Sequence, residues 1–237
     1  MQRRHFNLAS TGIFSSLILA TYQQAYALSL GDLAGISNKD ASAGVKTALE
    51  KGALAAVALL GKTDGFFGND KVRIPLPGFL QDAAGILKTL GQGKRIDELM
   101  LSINRAAEAA VPMGKDLLVS SVRNMSVVDA KNILTGGQTS VTNFFAEKTR
   151  TPLSSTFLPI VTKATQKVGL ANRYNELAGK ASSFGLIKKE DANIQQYVTG
   201  KTLDGLYLII GEQETKLRQD PLGSGSEILK KVFGAMK

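Results

Sequence analysis

Ile96, Leu99, Met100, Ile103, Ala107, Ala110, Met113, Leu117, Leu118, Val122 and Met125 recur at steps of three and four. No strand, with its period of two, imitates that pattern, so the spacing predicts a helix of roughly eight turns. We expect it to be the longest helix and the scaffold for the others. Pro112 lies inside it and cannot donate to the carbonyl of Glu108, four residues back, so a kink beside polar side chains is expected.

The helical period extends outward from this stretch. Val45, Leu49, Ala53, Ala56 and Leu60 repeat it upstream in a segment rich in Ala and Gly, where small side chains permit close helix contact. Ser126-Val127-Val128-Asp129 reads as a capping-box-like start and Gly136-Gly137 as a stop. Residues 142–150, 152–168, 170–182 and 189–199 read as further helices. The run Leu206-Tyr207-Leu208-Ile209-Ile210 resembles a buried strand by itself, but Gln213, Glu214 and Leu217 restore the helical step. A last amphipathic helix is expected over 227–233. The predicted fold class is therefore all-α: a single-domain multi-helix bundle with one long central helix.

One segment interrupts the pattern. Asp64-Gly65-Phe66-Phe67-Gly68-Asn69-Asp70 is a glycine-rich turn, and Lys71-Val72-Arg73-Ile74-Pro75-Leu76-Pro77 is an extended run whose two prolines forbid helix and central strand alike. Two aromatics in such a turn indicate a loop pinned to the core.

The amino terminus reads as an export signal. Arg3 and Arg4 precede a mostly apolar stretch from Leu8 to Ala20, no acid occurs before Asp32, and Ala25-Tyr26-Ala27 offers a small-x-small cleavage pattern, placing the cut after Ala27. Arg3-Arg4-His5-Phe6-Asn7-Leu8 is similar to a twin-arginine signal, although Gln2 stands where Ser or Thr is usual and no Lys follows the Phe. An ordinary secretory n-region with two arginines is the alternative. Residues 28–237 then form one exported, periplasmic, all-helical domain. After Ala27 no apolar stretch reaches the about 18 residues that a spanning helix needs.

Composition restricts the chemistry. The chain has one His and no Cys, and the histidine, His5, falls inside the expected signal. A mature chain without imidazole or thiol excludes Ser-His-Asp and Cys-His nucleophiles, Cys/His zinc sites and cysteine-bound iron–sulfur clusters. No cofactor and no metal are expected. The formal charge of +9 invites an anionic partner. Nucleic acid is not expected, because the basic residues are dispersed without an Arg-rich cluster or stacking aromatics. Ile228, Leu229, Val232 and Phe233, with Lys230, Lys231 and Lys237 elsewhere around the last helix, suggest at most peripheral membrane contact.

The order of certain motifs resembles an uncharacterised family of exported Gram-negative bacterial proteins, domain of unknown function 4197. The matching pieces are Asp64-Gly65-Phe66, Val72 to Pro77, Asn104-Arg105-Ala106-Ala107-Glu108, Met125-Ser126 with Asp129, and Thr142 with Phe144-Phe145. Pro159, Leu203-Asp204-Gly205-Leu206, Glu214 with Arg218 and Pro221, and Leu229 to Phe233 follow in order. Tyr207 stands where Phe is expected. The resemblance implies an exported all-helical domain without assigned activity or cofactor.

Four residues are the candidate ligand-binding set: Arg73, Asn104, Arg105 and Glu108. On the helical wheel Asn104, Arg105 and Glu108 fall outside the apolar stripe, beside Asp97, Glu98, Lys115 and Asp116. They form either a solvated charged face, a polar network between helices, or part of a pocket at the Pro112 kink. Arg73 offers a bidentate fork for an anion; the favoured alternative is a salt bridge to a helix carboxylate such as Glu108. Secondary candidates are Asp64, Asp129 as a helix cap, Thr142, Asp204 beside Gly205 at a turn or tight helix contact, and Glu214 with Arg218 as an i,i+4 pair. Asp64, Asn69 and Asp70 do not match an EF-hand spacing. The leading expectation is a non-enzymatic binding or envelope-associated module for a small apolar or anionic ligand. The alternatives are a hydrolase or lyase using Glu108 with Asp129 or Asp204, and a scaffold that recognises another envelope protein.

Overall fold

A computed structural model describes residues 37–220, apart from 137, 138, 167, 168, 184, 186, 187 and 189–191, together with 223, 226–228 and 230. A few helical side chains, that of Arg218 among them, also fall outside the description. So do the export signal and most of the expected carboxyl-terminal helix.

Among the described residues every regular element is a helix: α1 Asn38–Leu60, α2 Gly78–Leu87, α3 Gly93–Ala110, α4 Lys115–Arg123, α5 Val127–Thr135, α6 Ser140–Thr165, α7 Gly169–Ser183 and α8 Ile194–Gln219. α8 is the hub, with α6 and α1 along it and α3 and α7 completing the surround. The all-α bundle expected from sequence is therefore what the chain forms.

Local chemistry sets the helix starts. Ser37 caps α1 by accepting from the Asp40 amide, and Asn193 caps α8 by accepting from the amides of Gln195 and Gln196. At α5 the expected capping box is complete: Ser126 Oγ accepts from the Asp129 amide at 3.0 Å, while Asp129 Oδ2 accepts from the Ser126 amide and hydroxyl. Those bonds, the hydroxyl's first, hold the Asp129 carboxyl below its ordinary pKa.

The small-residue seam of α1 lets two backbones approach. A Cβ on Gly52 would stand 3.6 Å from the Ile210 carbonyl of α8, in ordinary contact. Around that seam Leu49, Ala53, Ala56 and Leu60 are fully buried, Leu49 and Leu60 each stabilising by about 1.5–3 kcal/mol relative to exposure.

Three element boundaries differ from the sequence expectation. The stretch from Ile96 to Met125 is two helices, because α3 ends at Ala110 and a 3-10 turn, Val111–Gly114, carries Pro112 where a missing amide is tolerated. The longest described helices are consequently α6 and α8, 26 residues each. Residues 142–150 and 152–168, expected to be separate, merge in α6: Pro152 and Pro159 both lie on its exposed side, where freed carbonyls meet water. Helix α8 likewise runs uninterrupted through Gly200 and Asp204-Gly205, so Asp204 occupies a helix interior and marks no turn.

Candidate functional site

The glycine-rich segment between α1 and α2 is folded tightly against α3. Asp64 takes a left-handed φ of 63°, and Gly65 follows where a Cβ would lie 2.5 Å from the Leu60 carbonyl. Turn bonds from Gly68 to Asp64, Asn69 to Phe66 and Arg73 to Asn69 complete the coil. Phe66 is fully buried, and Gly205 of α8 makes room for it: a Cβ there would come within 2.9 Å of its ring.

This turn leaves the amides of Phe66 and Phe67 without backbone acceptors, and Glu108 supplies one. Its Oε1 accepts from both, at 3.0 and 3.1 Å, while Oε2 accepts from Arg105 Nη1 at 2.6 Å. Glu108 is only 5% exposed, so these bonds replace the water that burial removes. Arg105 extends the chain by donating from Nη2 to Asp64 Oδ1 at 2.8 Å. Hydrogen bonds to Glu108 and then Asp64 raise the guanidinium pKa further above its ordinary value.

Asn104, fully buried one position earlier, holds the extended run. Its Oδ1 accepts from the Ile74 amide at 2.8 Å; its Nδ2 donates to the Ile74 carbonyl and, within α3, to the Met100 carbonyl, each at 2.9 Å. One side-chain amide thus imitates a strand partner for a segment whose prolines bar it from a sheet. Tyr197 of α8 adds a bond from its hydroxyl to the Pro75 carbonyl at 3.2 Å, and Lys71 pairs with Glu212 at 2.7 Å.

Arg73 lies on the outer rim, its side chain 43% exposed. It donates from Nε to the Phe67 carbonyl at 2.6 Å and lies 3.3 Å from Asp70, so the expected salt bridge to Glu108 is replaced by these partners. Two guanidinium groups lie over the Phe67 ring, that of Arg73 at 5.2 Å and that of Arg105 at 5.8 Å from its centroid.

The structure therefore brings Asp64, Arg73, Asn104, Arg105 and Glu108 together around one loop. The solvated-face reading fails for Asn104 and Glu108, since the loop covers that flank of α3; Asp97, Glu98, Lys115 and Asp116 remain exposed. Asp129 is committed to its cap and Asp204 to Arg150, 2.5 Å away, so neither joins Glu108 in these contacts. Thr142 Oγ1 is 3.5 Å from the Tyr207 carbonyl and packs where a Cβ on Gly211 would collide. Glu214 is buried, 4% exposed; the side chain of its expected partner Arg218 lies outside the described residues.

Two further polar links escaped sequence reasoning. Asn175 of α7 donates to Gln195 Oε1 and accepts from the Ile194 amide, while Gln195 Nε2 donates to Thr165 of α6. Thr149 and Tyr207 share a hydrogen bond of 3.0 Å in the α6–α8 seam, beneath Arg150, whose guanidinium lies 5.4 Å from the Tyr207 ring. Burial raises the Tyr207 pKa above its ordinary value, the Thr149 bond opposing it.

These contacts use most of the motif residues quoted from sequence, and a family model bears on what they share. The model for a protein of unknown function, DUF4197, matches residues 35–234. The chain belongs to this family. Comparison with curated proteins and with solved structures finds no match. The matched span includes the whole loop and its clamp.

Proposed function

We propose that this DUF4197 member is an exported, envelope-associated module that works by recognition and not by catalysis. The observation that carries the reading is the commitment of Glu108 and Asn104. Both are buried, and every hydrogen bond described for them goes to Arg105 or to backbone within the chain. A general acid or base needs a carboxyl within reach of substrate; the Glu108 carboxylate is occupied in holding a loop. Asp129 and Asp204 are likewise engaged. The export part rests on the arginine-led, apolar, Ala-x-Ala amino terminus. Among the described residues no helix is long and apolar enough to cross a membrane.

The two parts are tested separately. Fractionation of expressing cells with sequencing of the processed amino terminus should give a periplasmic chain beginning at Leu28; a chain retained in the cytoplasm with Met1 overturns export. For recognition, Glu108→Gln should change stability and leave any measured hydrolytic turnover at the background of a denatured control. Turnover above background that Glu108→Gln abolishes overturns the non-enzymatic reading.

A further inference from the structure

Asp-Gly occurs twice in the chain, at Asp64-Gly65 and Asp204-Gly205, and Asn-Gly not at all. In such a pair no Cβ shields the following amide nitrogen, so the aspartate carboxyl carbon can close on it. The glycine nitrogen bonds to the aspartate Cγ, its proton and the carboxyl hydroxyl leave as water, and a five-membered imide forms. Water then reopens the ring. Opening at the side-chain carbonyl restores aspartate, whereas opening at the original backbone carbonyl gives isoaspartate, with one methylene added to the main chain. The two sites stand in different surroundings. Asp204-Gly205 lies inside α8, whose continuous ladder holds the Gly205 nitrogen. Asp64-Gly65 lies in the turn after α1, with the Asp64 side chain 56% exposed and its φ at 63°. There three bonds hold the reacting groups. Arg105 Nη2 donates to Asp64 Oδ1 at 2.8 Å, the Gly65 amide donates to the Lys62 carbonyl at 3.0 Å, and the Gly68 amide donates to the Asp64 carbonyl at 3.1 Å.

We infer that Asp64-Gly65 is a latent isomerisation site and that Arg105 guards it. For the ring to close, the Asp64 carboxyl must swing onto the Gly65 nitrogen. The bond from Arg105 instead ties one carboxylate oxygen to α3, 41 residues away in sequence. The bond to Lys62 keeps the Gly65 amide engaged within its own coil. Of these restraints only the one from Arg105 is made by a side chain, so it alone can be removed by substitution without touching the turn. The site matters to the fold because the Phe66 and Phe67 amides follow it directly. A methylene inserted at position 64 would displace both from Glu108 Oε1, which accepts from them at 3.0 and 3.1 Å. Arg105 therefore has two tasks, one toward each carboxylate: it pairs with buried Glu108 and restrains exposed Asp64. This chemical durability is independent of recognition and of export.

The experiment is prolonged warm incubation of the purified chain at neutral pH, folded and in urea, followed by proteolysis and mass spectrometry that separates isoaspartyl from aspartyl peptides. In urea, which removes both environments, Asp64 and Asp204 should isomerise at comparable rates. In the folded wild type both should be slow. Arg105→Gln should speed isomerisation at Asp64 by about threefold or more, the factor carried by a partly exposed ion pair, and leave Asp204 unchanged. Release of Asp204 requires α8 to unravel, so Asp204 reads opening of the whole fold, and a rise at Asp64 alone marks a local guard. Arg105→Lys keeps a cation for Glu108 but lacks the fork whose second nitrogen reaches Asp64. It should raise the rate at Asp64 with a smaller drop in the urea midpoint. An unchanged rate at Asp64 in both variants overturns the inference, as does a folded wild type that isomerises there as fast as in urea. A parallel rise at Asp64 and Asp204 also overturns it, since Arg105 would then act only through global stability.

Discussion

Glu108 Oε1 lies 3.0 Å from the Phe66 amide, joining α3 to a loop 42 residues earlier in the chain. The same oxygen takes the Phe67 amide, and the other carboxylate oxygen takes Arg105. Removing the carboxylate leaves the Phe66 and Phe67 amides without their acceptor, while Arg105, partly exposed, keeps Asp64.

Glu108→Ala should therefore destabilise by about 1–3 kcal/mol, the cost typical of leaving a buried donor unsatisfied. Glu108→Gln keeps an acceptor for the two loop amides and should cost less. Urea unfolding followed by circular dichroism measures both. Equal losses for the two variants would mean that charge, and not acceptance from Phe66 and Phe67, holds the loop.

Asn104 acts on the neighbouring stretch through a different chemistry. Asn104→Asp keeps an acceptor for the Ile74 amide but turns a second carboxylate oxygen toward the Ile74 and Met100 carbonyls, which the native amide nitrogen satisfies. It should be the more damaging replacement compared with Asn104→Ala, whose loss is about 1–3 kcal/mol for an unsatisfied buried group. Hydrogen exchange at the Ile74 amide should accelerate in Asn104→Ala and report the release of the extended run directly.

How much of this was legible follows from what each residue depends on. The Ser126–Asp129 capping box spans four consecutive residues, so the sequence reading and the structure coincide. The helical wheel placed Asn104 and Glu108 off the stripe of α3 correctly, yet it describes one helix alone and carries no information on a loop arriving from 30 to 42 residues upstream. Their burial was therefore left open between a solvated face and a polar network. Pro112 marked the kink at Val111–Gly114, but not that it divides the helix in two: Val111, Gly114, Leu118 and Val122 stay buried through the 3-10 turn, so the apolar spacing shows no gap. Gly114 held the clue, since a Cβ there would come within 2.8 Å of Leu153.

Gly205 and Gly200 make a controlled pair within α8. Alanine favours a helix interior over glycine by about 1 kcal/mol, and a Cβ on Gly200 meets nothing within 4 Å, so Gly200→Ala should stabilise by up to that amount. At Gly205 the added carbon would stand 2.9 Å from the Phe66 ring and 3.2 Å from Val72 Cβ. Overpacking of about 1–3 kcal/mol should outweigh the propensity gain, so Gly205→Ala should lower the denaturant midpoint. A stabilised Gly205→Ala would show that the Phe66 loop yields easily.

The resemblance that expects Phe at position 207 has its own test. Tyr207→Phe removes a buried hydroxyl, but Thr149 Oγ1 retains its 2.6 Å bond to the Phe145 carbonyl, so no polar atom of Thr149 is orphaned. The loss should be no more than about 1 kcal/mol, the net worth of one hydrogen bond. The replacement should also remove an alkaline transition. Tyr207 has a folded pKa above its unfolded value, so the proton-bound state contributes stability below the unfolded pKa, and that contribution is lost as pH rises through the folded value.

Acid should expose the opposite linkage at the α5 cap. The folded pKa of Asp129 is depressed by its bonds from Ser126, so its contribution is present above the unfolded value and disappears as pH falls through the folded one. Stability measured by chemical denaturation should decline below about pH 4, the ordinary carboxylate range, with Asp129 among the contributors. Asp129→Asn keeps an oxygen that can accept from the Ser126 amide but cannot titrate, so its acid limb should be shallower than that of the wild type while its neutral-pH stability falls only modestly. The subtraction of the two curves isolates Asp129 from the other carboxylates. A parallel pair of curves would mean that the capping box contributes the same in both protonation states, contrary to the geometry in which Asp129 Oδ2 accepts two bonds from Ser126.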